Sequence, residues 1–111
     1  MSGKFEIKMK KDGKYSFDLL APNGKVILAS ALFDTKSGLD RNIKLIKKNA
    51  SNDKSYKRII SGRDDPYFLL KAENGHVIAR SKMYLSMAGM EKGISSVKTN
   101  APDAVIKDYT V

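Results

Sequence analysis

Residues 17–50 read FDLLAPNGKVILASALFDTKSGLDRNIKLIKKNA, and residues 68–101 read FLLKAENGHVIARSKMYLSMAGMEKGISSVKTNA. Slid over each other by 51 positions they align without a gap, and 13 of the 34 columns are identical. Phe33/Tyr84, Leu39/Met90, Asp40/Glu91 and Ile46/Val97 are conservative pairs. A self-match this long marks a duplicated unit, and such a period decides the architecture before any local reading does. The chain of 111 residues therefore reads as a single domain made of two repeats, 1–52 and 53–111.

The shared columns say what each unit contains. Asn23-Gly24 and Asn74-Gly75 sit between apolar runs, and Asn-Gly supplies the positive φ that a tight hairpin needs. Upstream, Phe5, Ile7 and Met9 alternate with Glu6, Lys8 and Lys10, the period of a half-buried strand. Asp12-Gly13 turns that strand into Tyr15, Phe17 and Leu19. In copy two Arg58 falls opposite Ile7, and residues 62–66 (GRDDP) replace the Asp-Gly turn, leaving the shape of that hairpin open. Pro66 suits the first residue of a strand or an edge, where no ladder N–H is required.

A helix follows each hairpin. Asp34 or Thr35, and Ser86, are N-cap residues. Leu39, Ile43, Ile46 and Ala50 recur at helical spacing, as do Met90, Ile94, Val97 and Ala101, so each stripe faces the sheet. Asn49 and Asn100 suit a left-handed C-terminal position, and Lys47 and Lys98 complement the negative helix end. Gly38 and Gly89 in the first turns imply close backbone approach where the repeats meet. Residues 104–111 read as one more strand. The expected fold is α+β: two tandem β-β-β-α repeats with pseudo-twofold symmetry, helices packed on an antiparallel sheet, plus a C-terminal strand. Its expected core is Phe17, Leu19, Val26, Ile43 and Ile46 with Phe68, Leu70, Val77, Ile94 and Val97.

Apolar residues are 41% and charged residues 30%, an ordinary globular balance. With no cysteine, disulfides, zinc-thiolate sites and thiol nucleophiles are excluded. The absence of an apolar leader or span at the start gives cytoplasmic location as the expectation, with no membrane partner. The formal charge of +9 comes from 17 lysines and only 4 arginines. Lysine is a solvated point charge, whereas arginine reads phosphates and guanines bidentately. Twelve basic residues face six acidic ones up to Tyr56, and nine face six after it, so copy one carries the larger excess.

The motifs Gly-Lys-Phe, Lys-Asp-Gly-Lys-Tyr, Phe-x-Leu-x-Ala-x-Asn-Gly-x-Val-Ile and Ile-x-x-Ile/Val-Lys-x-Asn-Ala run in this order along nearly the whole chain. In them the sequence resembles the YegP-like family, a group of small bacterial proteins of uncharacterised function. The resemblance implies a compact α+β fold of ββ(β)α units, with tandem members pairing two units as single-unit members do by dimerising. A monomer is therefore expected. It implies no activity and no cofactor. Residues 39–41 and 62–66 depart from the family pattern.

Each candidate for chemistry has a plainer structural reading. His76, the only histidine, is favoured as an exposed strand residue over a general base. Asp64, Asp65 and Asp103 are too few at fixed spacing for a cation site and read as polar turns. Ser30 and Ser81 lack a sequence partner to activate them as nucleophiles. Met83, Met87 and Met90 could form an adaptable surface but are favoured as core fillers. Tyr15, Phe17, Tyr67 and Phe68 suggest a stacking platform, yet Phe17 and Phe68 share the apolar phase. No catalytic or metal residue is assigned, and an enzyme is not expected. An interaction module for an unnamed protein partner comes first, and low-specificity binding of nucleic acid or another polyanion second. For the second, Arg41, Lys44 and Lys48 fall opposite the apolar stripe of helix one, where helix two has Lys92, Ser95 and Thr99.

Overall fold

A computed structural model describes residues 3–110; Met1, Ser2 and Val111, the last residue of the expected final strand, lie outside the described residues. The elements run β1 (Lys4–Met9), β2 (Tyr15–Leu20), β3 (Val26–Ala29), α1 (Lys36–Asn49), β4 (Tyr56–Ile60), β5 (Pro66–Lys71), β6 (Val77–Arg80), α2 (Met87–Asn100) and β7 (Val105–Asp108), with a 3₁₀ turn at Asp53–Ser55. All strands join one seven-stranded sheet in the order β4-β5-β6-β3-β2-β1-β7. The two meanders meet through antiparallel β3 and β6, bridged at Ala29 and Arg80, which places the repeats about a pseudo-twofold. Each helix packs on its own unit and reaches the other: α1 lies against β2 and β6, α2 against β5 and β3.

Both copies build their first turn identically. Gly13 N–H donates to the Lys10 carbonyl at 3.0 Å, and Asp64 N–H to the Ser61 carbonyl at 2.9 Å. Gly13 has φ 80° and Asp64 φ 65°, so Asp64 takes the left-handed place and residues 62–66 form the same hairpin after all. At the Asn-Gly turns only the glycines, Gly24 and Gly75, carry positive φ. Gly24 N–H bonds the Ala21 carbonyl at 2.9 Å and Asn23 Oδ1 accepts from Lys25 N–H at 3.0 Å. The connection is thus a three-residue loop, Pro22-Asn23-Gly24, closed by a left-handed glycine, rather than the two-residue turn that Asn-Gly suggests.

The strand after that turn corrects the expected core. Leu19 pairs with Leu28 but Leu20 with Val26, so Ile27 is an extra residue in β3; Leu70–Ala79 and Lys71–Val77 leave Ile78 extra in β6. A bulge reverses the side on which every earlier residue points. Val26 and Val77 consequently lie outside, 41% and 53% exposed, while Ile27 and Ile78 are buried in their place. The other predicted core residues are all buried, joined by Phe5, Ile7, Leu28, Leu39, Tyr56 and Met90. Met9, at the free end of β1, is exposed.

Thr35 and Ser86 cap the helices, accepting from Gly38 and Gly89 N–H at 3.1 and 3.0 Å. The recurring glycines serve these caps and not a junction between repeats. A Cβ on Gly38 would meet Thr35 Oγ1 and Phe33, and one on Gly89 would meet Ser86 Oγ and Tyr84. Asn49 and Asn100 are helical, not left-handed. Both are buried, and their Nδ2 atoms donate back to the Leu45 and Ser96 carbonyls at 2.8 Å.

Asymmetry enters at the outer edges. β7 lies parallel to β1, with Lys4 opposite Val105 and Ile7 opposite Asp108, and so covers one edge. β4, the counterpart of β1, is the other edge strand. This explains why Arg58 stands where copy one has the buried Ile7. A charge on an uncovered edge strand discourages edge pairing.

Candidate functional site

Helix α1 needs its apolar stripe to reach β2 and β6, so the residues opposite are left to solvent. Arg41, Lys44 and Lys48 are exposed on this outer face, spread over about 10 Å of helix. Among the described residues Arg41 and Lys44 make no ion pair. Lys48 has only a loose one, 3.9 Å to Glu73, with both side chains mostly in water. Such a pair holds its partners weakly.

On the second helix Glu91 and Lys98 are paired, while Lys92, the counterpart of Arg41, is exposed and makes no ion pair among the described residues. Arg58 donates to Glu91 at 2.6 Å and to Asp53 at 3.1 Å, and Lys98 donates to Asp53 at 2.8 Å. The hydrogen bond from Lys98, followed by that from Arg58, holds the Asp53 carboxyl below its ordinary pKa; the bond from Arg58 does the same to Glu91. In copy one Lys47 plays the Lys98 part differently, donating to the Ala104 carbonyl at 2.9 Å. Ala104 and Asp53 are equivalent positions, so each helix end is tied to the segment that leads into an edge strand.

Between α1 and the β5–β6 turn runs a groove of about 360 Å³. Asn42, Leu45, Lys48 and Asn49 form its helix wall; Glu73, Asn74 and His76 face them from the turn. The structure thus brings His76 and Lys48 to one groove, a juxtaposition that the sequence did not signal because the two lie in different repeats. Asn42 bridges the groove by donating to the Ile78 carbonyl at 2.7 Å.

The remaining candidates hold structural places. Ser30 Oγ accepts from Phe17 N–H at 2.9 Å and donates to the Ala31 carbonyl at 2.7 Å; Ser81 repeats both bonds with Phe68 and Lys82. These hydroxyls extend the ladder between strands, which is why serine recurs in that column. Asp64 and Asp65 form the β4–β5 turn, and no group of three or more possible metal-ligating side chains occurs among the described residues. Phe17 and Phe68 are buried, and Tyr15 is half-buried beneath the Lys36 ammonium. Tyr67, likewise half-buried, lies 5.9 Å from the Arg80 guanidinium. Of Met83, Met87 and Met90 only the last fills the core; Met83 and Met87 are about half exposed, beside the fully exposed Leu85.

Two copies of one unit are also what comparison with known proteins finds. A family model described as a domain of unknown function, DUF1508, matches residues 10–56 and again 63–108. The chain belongs to the DUF1508 family. A UPF0339 protein of Acinetobacter baylyi is 46% identical over 99% of both chains. The UPF0339 protein YegP of Yersinia pestis is 38% identical over 98% of this chain and 97% of that one. The solution NMR structure of yegP from E. coli, a protein of unknown function, superposes with a TM-score of 0.93 at 34% identity, covering 98% of this chain and 94% of that one. A UPF0339 protein of Shewanella oneidensis gives 0.92 at 39% identity, covering 97% and 92%. The YegP resemblance and the tandem α+β fold therefore hold, and these relatives bear no enzymatic name. No described helix is long and apolar enough to cross a membrane.

Proposed function

We propose that the chain is a non-enzymatic binding module that engages a polyanion through the outer face of α1. One observation carries this: the two helices occupy equivalent places, yet the outer face of α1 carries three cations, Arg41, Lys44 and Lys48, where α2 carries only Lys92 beside Ser95 and Thr99, and among the described residues Arg41 and Lys44 make no ion pair. Copy two shows that packing is compatible with Ser95 and Thr99 at the places of Lys44 and Lys48. The non-enzymatic part is supported by the engagement of Ser30 and Ser81 in the strand ladder. The preponderance of lysine suits neutralisation of phosphate charge without sequence readout.

The test is a variant with Arg41, Lys44 and Lys48 all replaced by Glu. These surface changes leave the core alone, so stability should shift by no more than about 0.5 kcal/mol per site. Binding to single-stranded DNA near 50 mM salt should collapse. A parent protein that binds no polyanion under these conditions overturns the proposal, and equal binding by the variant overturns the assignment to α1.

A further inference from the structure

The two outer edges of the sheet come from equivalent strands, β1 and β4, and a strand of this chain covers only the first. β1 carries β7 in parallel, with Tyr109 N–H donating to the Ile7 carbonyl at 3.0 Å. β4 ends the sheet with no strand beside it. Which of its main-chain groups are free follows from β5. Phe68 N–H donates to Ser81 Oγ, while the Phe68 and Pro66 carbonyls accept from Ser81 and Tyr84 N–H, all on the β6 side. Tyr67 and Leu69 therefore bond their β4 partners Ile59 and Lys57, and the main-chain groups of Arg58 and Ile60 point out of the sheet. Tyr56 N–H is already closed by the Asp53 carbonyl of the 3₁₀ turn.

We infer that the β4 edge receives an extended acidic segment of another protein, laid parallel to β4 as β7 lies on β1. The occupied edge supplies the backbone geometry, and charge selects the sequence. On β1 the ladder sets Lys107 opposite Glu6, a pairing of opposite charges that stabilises neighbouring strands. Where β1 has Glu6, β4 has Lys57, exposed and without an ion pair among the described residues. The residue opposite Lys57 is accordingly an acid. The next position, which Asp108 fills opposite Ile7, falls opposite Arg58 and favours a second acid. Beyond it the edge turns apolar, with Ile59 half-buried and Ile60 51% exposed. The segment thus reads as two consecutive acids followed by apolar residues.

The same cations rule out the other occupants. A second copy offering β7 would set Lys107 against Lys57, and one offering β4 would bring its own Lys57 and Arg58 to the edge; like charges across a ladder destabilise it. A nucleic acid has no row of alternating N–H and carbonyl groups with which to continue a sheet. Charge on the edge therefore deters indiscriminate pairing and admits an acidic strand. The surface is separate from the ridge, since α1 lies against β2 and β6. The inference accordingly goes beyond the polyanion reading and does not depend on it.

The test is an NMR titration of the isotope-labelled full chain with two peptides, one with the sequence of residues 103–110 and one with the same sequence carrying Lys107→Glu. Amide shifts should gather on β4 and the 3₁₀ turn, and the Lys107→Glu peptide should bind roughly 3–10-fold tighter than its parent. Lys57→Glu in the protein, an exposed site that leaves the core alone, should reverse that order. N-methylation of the peptide at residue 107, whose N–H points the same way as those of Val105 and Tyr109, should abolish the β4 shifts. No shift on β4 up to the solubility limit of the peptides overturns the inference, as do shifts on β1 and β7 in its place. Shifts on α1 around Arg41, Lys44 and Lys48 that survive N-methylation also overturn it and leave the polyanion reading standing. Tighter binding of the parent peptide, or single-stranded DNA shifting the β4 amides where the peptides do not, overturns the choice of an acidic protein segment.

Discussion

The Tyr84 hydroxyl is buried without a hydrogen-bond partner among the described residues, and burial pushes its pKa up. It lies against the α-carbon of Gly93, where an added Cβ would meet Tyr84 Oη and come within 2.6 Å of the ring's Cζ. The equivalent pair in copy one is Phe33 and Asn42, a ring without the hydroxyl and a residue with a side chain. Both rings stack at 6.3 Å on the core phenylalanine of their unit, Phe17 or Phe68. Gly93→Ala should therefore destabilise by roughly 1–3 kcal/mol despite the better helix propensity of alanine. In a Tyr84→Phe background that penalty should shrink by at least about 1 kcal/mol, as read from a double-mutant cycle in denaturant. Equal penalties in the two backgrounds would show that hydroxyl and glycine are not coupled. Asp64 gives a second prediction: Asp64→Gly relieves a left-handed φ and should raise stability by about 0.5–1 kcal/mol, whereas an unchanged midpoint would mean that Asp64 bears no strain there. At this scale the sequence was legible where chemistry is local, as at Thr35, Ser86 and the turn glycines. It was not legible at Val26 and Val77, because one extra residue in each strand reverses the facing and leaves no mark in composition.

Both helices deliver their stripes to the sheet as the spacing predicts. Leu39, Ile43, Ile46 and Ala50, with Met90, Ile94, Val97 and Ala101, are at most 1% exposed. Ile43→Ala or Ile94→Ala should each cost about 2–5 kcal/mol in a denaturation experiment, and an unchanged midpoint for both would contradict the packing described. The outer strands needed the structure. Residues 104–111 were readable as a strand, but its parallel pairing with β1 depends on how the repeats meet, not on any residue within it. The exchange of Ile7 for Arg58 looked like blurring of the repeat until the two edges could be compared. It marks the covered and the uncovered side of the sheet.

Taken as a whole, the molecule is nearly symmetric in backbone and asymmetric in surface. The duplication, with its 51-residue offset, made the architecture legible from sequence alone. The ridge on α1 was legible too, since it follows from helical spacing. The groove beside it was not, because its walls come from α1 of one repeat and the hairpin of the other, a juxtaposition created by the crossing of each helix onto its neighbour's sheet. Surface asymmetry on a symmetric frame is the property from which the polyanion proposal follows, and it has a quantitative consequence. Each phosphate neutralised on a single strand contributes about −0.7 to the slope of log K against log salt concentration. Measuring that slope for the parent protein and for a variant with Arg41, Lys44 and Lys48 all replaced by Ala isolates the ridge. The expected result is a clearly negative slope in the parent that becomes shallower by about 2 in the variant. Identical slopes in both, or no salt dependence in the parent, would contradict binding through α1.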